Sequence, residues 1–96
     1  MIIKPSTVGD KKYTATFLEP PYKKVLKTVH FGLRGSSTYL DHRDILKRQN
    51  YIKRHKPNEN WRDGMSAGAL SRFILWGEKT TLNEAIRAYK QRFKFV

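Results

Sequence analysis

The sequence predicts an α+β domain in which an N-terminal β-hairpin packs against three C-terminal helices. Three observations carry that prediction. Residues 11–18 and 22–31 alternate apolar and polar side chains with a period of two. Residues 66–93 instead carry apolar side chains at helical spacing. The 96 residues, 39% of them hydrophobic, suffice for one core and not for two. A single domain over 1–96 follows, with residues 1–10 either flexible or strand-forming.

In the first strand Tyr13, Ala15 and Phe17 alternate with Lys12, Thr14 and Thr16, a mixture rich in β-formers. Glu19-Pro20-Pro21 interrupts it, because proline cannot donate to a ladder. From Tyr22 to Phe31 the alternation puts Val25, Val29 and Phe31 on one face with Lys23 and Lys27, and Lys24 and Leu26 on the other. Gly32 to Ser37 is turn chemistry. A first helix is expected from Asp41 to about His55, stopped by Pro57, since the residue before proline avoids helical geometry. After a loop over Asn58 to Gly64, a second helix runs from Ser66 to Trp76. Ala69, Leu70, Phe73 and Ile74 sit there at core spacing, and Gly77 serves as C-cap. Thr81-Leu82-Asn83-Glu84 reads as a capping box, with Thr81 as cap and Glu84 reaching back. It opens a third helix with Leu82, Ala85, Ile86, Tyr89 and Phe93 on one face.

Twenty basic residues face eight acidic ones, for a formal charge of +12. Such an excess repels itself in the folded state and implies a polyanionic partner: nucleic acid, an anionic membrane or an acidic protein. The excess is spread along the chain, with seven basic against two acidic residues in 1–40, seven against four in 41–64, and six against two in 65–96. The fold itself is basic, not a basic arm on a neutral fold. With no cysteine, a disulfide framework and thiolate zinc sites are excluded. The longest apolar cluster, Phe73-Ile74-Leu75-Trp76, is far too short to span a membrane. An intracellular protein, or one packaged from inside a cell, is expected.

The densest basic segment is Lys47 to Lys56. On a continuous helix Arg43, Lys47, Asn50 and Arg54 fall within about 60° of one another. Ile45 and Ile52 lie on the opposite side, where they could pack on the core. Long cations, an amide and the neighbouring Tyr51 suit phosphate contact. A solvated polar face would look similar, but solvated helices mix charges, and no acidic residue occurs between 45 and 58. Arg48, Lys53 and Lys56 extend the set, and Lys23, Lys24 and Lys27 form a second one in the hairpin, where lysine also guards strand edges. Arg87, Lys90 and Lys94 line the outer side of the last helix, while Arg72 and Arg92 suit packing. Trp61 and Trp76 could stack on bases, though core packing is the commoner use of tryptophan.

No assembled catalytic site is visible. His30, His42 and His55 are dispersed, and neither His42 with Asp41 and Asp44 nor Glu59 with Asp63 has the spacing of a known metal site. Asp41 and Asp44 suit helix N-terminal charges instead. The expectation is a non-enzymatic protein without metal, cofactor, small-molecule substrate or membrane. It binds DNA in preference to RNA, through backbone phosphates with little base readout, and it works as a homodimer because the chain is small and its hairpin leaves edges unpaired.

His30-Phe31-Gly32, Tyr51-Ile52-Lys53-Arg54-His55 followed by Glu59-Asn60-Trp61, Ser66-Ala67-Gly68-Ala69-Leu70-Ser71-Arg72-Phe73-Ile74-Leu75-Trp76 and the closing Ala88-Tyr89-Lys90-Gln91-Arg92-Phe93 resemble a family of small basic proteins encoded by giant DNA viruses. The likeness covers roughly residues 11 to 93, and the family's biochemical function is unknown. The resemblance implies a virion or infected-cell protein, and so a protein that coats or condenses DNA. The alternative it leaves is a scaffold protein whose basic face docks an acidic partner. The small residues Ser66 to Ala69 imply close helix contact or an anion at a helix N-terminus.

Overall fold

The computed structural model describes every residue except Pro20, Tyr22, Lys23 and Val96. Among these residues three antiparallel strands are followed by four α-helices, an α+β arrangement that corrects the expected hairpin with three helices. The strands are β1 (Ile2–Pro5), β2 (Lys11–Glu19) and β3 (Lys24–Leu33), in the order β1-β2-β3. The helices are α1 (Tyr39–His42), α2 (Ile45–His55), α3 (Ala67–Leu70) and α4 (Leu82–Phe93).

The N-terminal residues form a strand. Ile3 pairs with Ala15 and Pro5 with Tyr13, so Ile3 joins the apolar face of β2. Four residues ending in proline were too few to show a period, which is why the sequence left them open. On that face Ala15 and Phe17 of β2 and Val29 and Phe31 of β3 are buried together with Met1. Val25 does not join them. The β2–β3 register shifts at Phe17/Leu18 and skips Leu26, so Lys27 lies opposite Phe17, Val25 opposite Leu18 and Lys24 opposite Glu19. A one-residue bulge exchanges the faces of everything beyond it. Val25 and Leu26 are accordingly exposed, and Lys24 comes to share a face with Lys27.

The expected first helix is broken in two. Arg43 is left-handed (φ 53°), and its N–H closes α1 on the Tyr39 carbonyl at 2.9 Å. Asp44 then starts α2 afresh, accepting from the Leu46 and Lys47 N–H groups at 3.0 and 3.2 Å. Asp41 and Asp44 are both N-terminal helix charges as expected. Asp41 accepts from the Thr38 N–H at 2.8 Å and the Thr38 hydroxyl at 3.1 Å.

The second helix is also irregular. α3 is one turn long, capped by Ser66 Oγ, which accepts from the Ala69 N–H at 3.1 Å. It widens into a π-helical turn over Ser71–Leu75, closed by the Trp76 N–H on the Ser71 carbonyl at 3.0 Å. Gly77 is not a left-handed cap. It is needed because a Cβ there would run into the Phe73 carbonyl oxygen, which the widened turn pushes out. α4 starts where expected: Thr81 caps it, accepting from the Glu84 N–H at 3.3 Å, and Ala85 and Tyr89 are buried. Among the described hydrogen bonds the Glu84 side chain does not reach back, so the box is half made. Leu70, Ile74, Leu75, Ala85 and Tyr89 complete the core against the sheet, with the Tyr89 hydroxyl donating to the Gly64 carbonyl at 2.6 Å.

Leu70 is fully buried, while Leu46 is 65% exposed. Urea denaturation should therefore show Leu70→Ala losing about 2–5 kcal/mol. Leu46→Ala should stay within about 0.5 kcal/mol of the parent. Similar losses for both would place the core wrongly.

Candidate nucleic-acid interface

α2 is held to the domain by aromatic stacking. Tyr51, buried on its inner face, lies parallel to Trp76 with ring centroids 4.5 Å apart and an interplanar angle of 4°. His55 stacks on the other side of Tyr51 at 4.2 Å, and His42 tilts against Trp76 at 5.3 Å. Arg48, one turn before Tyr51, donates from Nε to the Trp76 and Gly77 carbonyls at 3.1 and 2.9 Å. These carbonyls are free because the π-helical turn has ended. The inner face of α2 is thus Arg48, Tyr51 and His55, at helical spacing.

This corrects two expectations. Ile45 is 59% exposed, and Ile52 only partly buried, so neither anchors the helix. Arg48 belongs to the packed side and not to the free basic stripe. The physical reason is the break at Arg43: it starts α2 on a new axis, and two flat rings offer more contact than one isoleucine.

With that face fixed, the side of α2 adjoining it forms a groove. Lys47, Asn50, Lys53 and Arg54 line an open cleft of about 460 Å³ with Ser37, His42 and Trp76. None of the lining residues is acidic. Lys47, Asn50 and Arg54 of the expected stripe are here. Arg43, at the left-handed junction, is exposed and does not line the cleft, nor does Lys56, which begins a 3₁₀ turn over Lys56–Asn58. Lys24 and Lys27 are exposed on the edge strand β3, apart from the groove lining, and Lys23 lies outside the described residues.

Sequence reasoning missed His42 as lining and offered Trp76 for base stacking only beside the commoner use in packing. The His42 ring accepts from the Asp44 N–H at Nδ1, 2.9 Å away, so in the neutral ring Nε2 carries the proton. That Nε2 is buried and has no hydrogen-bond partner among the described residues. Arg54 also borders a second cleft, of about 490 Å³, where Lys11 and His30 of the sheet face α2. That cleft is mixed in character, since Glu59 lines it as well, with the apolar side chains of Phe31, Leu33 and Leu75.

The three histidines are engaged separately. His30 Nδ1 lies 2.9 Å from the Thr14 hydroxyl, His42 holds the Asp44 N–H, and His55 lies 3.2 Å from Glu59, which also accepts from the Trp61 indole at 2.6 Å. Asp63 accepts from the Met65 N–H at 3.0 Å. Among the described residues no three metal-ligating side chains cluster, and no helix is long and apolar enough to cross a membrane. The stretch Ser66 to Ala69 makes close contact: a Cβ on Gly68 would lie 3.3 Å from the Glu59 carboxylate.

Fold and groove define a small basic α+β domain with an acid-free cleft on one helix. The chain belongs to the Family of unknown function (DUF5754), whose model matches residues 1–55. That match spans the sheet, α1 and all of α2, hence the groove's four polar helix residues, and stops before the Ser66–Trp76 motif. No curated protein and no solved structure matches the chain.

Burial of Tyr51, reinforced by the charge of Glu59, pushes its phenol up to about 12. The folded state keeps a proton that the unfolded chain loses near pH 10. The stability this represents is complete below about pH 10 and is lost as pH rises towards 12. Urea midpoints across that window should fall for the parent and fall less for Tyr51→Phe. Tyr89, also raised by burial, contributes a loss of the same sign. An unchanged slope in Tyr51→Phe would remove Tyr51 from the account.

Proposed function

We propose that this domain binds DNA without catalysis, neutralising or condensing it through backbone phosphates with little base readout. One observation carries the reading: Lys47, Asn50, Lys53 and Arg54 line a single open groove that contains no carboxylate. A solvated helix face has no reason to exclude acids, whereas phosphate contact requires it. Trp76 and His42 line the same groove, but Trp76 is stacked on Tyr51 and the His42 Nε2 is buried, so the three cations and the amide supply the phosphate contacts.

The source proposed with this function is a large DNA virus, on the strength of the resemblance over residues 11 to 93. A packaged genome demands charge neutralisation, and a protein of formal charge +12 supplies it, in the virion and in the infected cell. The domain is proposed to act as a homodimer. Support comes from β3, a sheet edge with Val25 and Leu26 exposed, and from Ile45 and Leu46, exposed in the first turn of α2. Such edges and aliphatic residues are protected by pairing. Light scattering should then give about twice the 11.3 kDa chain mass at micromolar concentration. A monomer at all concentrations would reject the dimer.

Duplex titration over a salt series tests the main proposal. If five or six phosphates are neutralised, log K should fall against log salt with a slope of about −4.5 to −5.5. The joint change Lys47→Glu, Lys53→Glu and Arg54→Glu should cut affinity by orders of magnitude and flatten the slope by about 0.9 per lost contact. The same charge change at Arg87, Lys90 and Lys94 of α4 is the control. Equal losses in both would assign binding to diffuse charge, and a salt-independent affinity would defeat the proposal altogether.

A further inference from the structure

Away from the groove, on the other side of Arg48, three arginines converge. Arg48 of α2, Arg72 of the π-helical turn and Arg92 of α4 line one cavity of about 320 Å³ together with Lys79, Phe73, Gly77 and Glu78. The volume is at the small end of ligand sites, which run from about 300 to 1,000 Å³. Four cations there meet one carboxylate, Glu78, which is itself exposed. Among the described residues none of the three arginines makes an ion pair; the two ion pairs found are Lys12 with Asp41 and His55 with Glu59.

The guanidinium groups are fixed before any ligand arrives. Arg48 is tied by Nε to the Trp76 and Gly77 carbonyls. Arg72 donates from Nη1 to the same Trp76 carbonyl at 3.0 Å, and its guanidinium lies 4.9 Å from the Phe73 ring centroid and 5.3 Å from that of Trp61. Arg92 lies 3.9 Å from the Phe73 centroid. Ring faces and carbonyls hold the charges in place without neutralising any of them. The Arg72 Nε–H is buried with no hydrogen-bond partner among the described residues. Burial, and then the charges of Arg48 and Arg92, draw the Arg72 guanidinium below its ordinary pKa.

Like charges gathered and partly desolvated cost free energy unless an anion joins them. Arginine's planar fork matches the geometry of a phosphate, and unused donors on several arginines around one small cavity are what a phosphate dianion requires. We infer that the Arg48–Arg72–Arg92 cavity, with Lys79 on its rim, is a binding site for a compact phosphate anion: a pyrophosphate-like group or a phosphomonoester. It is separate from the α2 groove, and the inference stands whether or not the groove binds DNA.

The test uses the full chain and inorganic pyrophosphate, followed by calorimetry and by the thermal midpoint against sodium chloride of equal ionic strength. Saturable binding with one site per chain is expected, with a midpoint that rises with pyrophosphate beyond the salt control. Arg72→Gln removes a bond to the Trp76 carbonyl and endangers the fold, so the exposed Arg92→Gln carries the decision. It should weaken pyrophosphate about tenfold or more while its circular dichroism stays that of the parent. Lys53→Gln, in the groove, should leave pyrophosphate binding unchanged. A 5′-phosphorylated oligonucleotide that outcompetes its 5′-hydroxyl counterpart, and loses that advantage in Arg92→Gln, would identify a strand end as the source. Equal competition by the two would identify a free small polyphosphate. Unsaturable binding, no effect of Arg92→Gln, or an equal loss in Lys53→Gln would overturn the site.

Discussion

The parallel contact of Tyr51 with Trp76 joins α2 to the core, and the position of the basic groove follows from it. Trp76 comes at the end of a widened turn whose last carbonyls have no helical partner. Arg48 takes two of those carbonyls and Arg72 shares one, so the place where the helix ends is also where α2 attaches. A regular α-helix through Ser71–Leu75 would direct Trp76 and its carbonyl elsewhere, and α2 would lose both its ring contact and its hydrogen bonds. π-turns of this kind are often found at functional sites, and here one positions cations on both sides of the joint.

The same joint sorts the charges. Arg48 and Arg72 are committed to carbonyls and ring faces, and Lys12 holds the Ser36 carbonyl at 2.8 Å. Lys47, Lys53, Lys24 and Lys27 are exposed and carry no structural duty visible in the hydrogen bonds described. Basic side chains gather at three separate places, the sheet edge, the groove and the arginine cavity, and repel one another there. Each is a place where an anion would relieve repulsion.

Much of the fold was legible. The alternation of Tyr13, Ala15 and Phe17 marks a strand because residues two apart share a sheet face, and Val29 with Phe31 marks its partner. Thr81 and the apolar spacing after it marked α4, because capping and amphipathic period are local properties. The groove was half legible: Lys47, Asn50, Lys53 and Arg54 were singled out, being close on one helix whichever axis that helix takes. His42 and the arginine cavity were not, and Trp76 was named for stacking without a place, since these members come from segments that only meet when the chain is folded.

The sequence by itself determined the class of the domain, its excess charge, the strand periodicity and the amphipathic last helix. All of these depend on side-chain type and on spacings of two to four residues. Only the tertiary structure decided the break at Arg43, the bulge at Leu26 that turned Val25 away from the core, and the choice of Tyr51 over Ile45 and Ile52 as the anchor of α2. Each is a competition between a local preference and a distant partner. Here the distant partner prevails, because stacking on Trp76 and its freed carbonyl bring together contacts that no nearest-neighbour pattern contains.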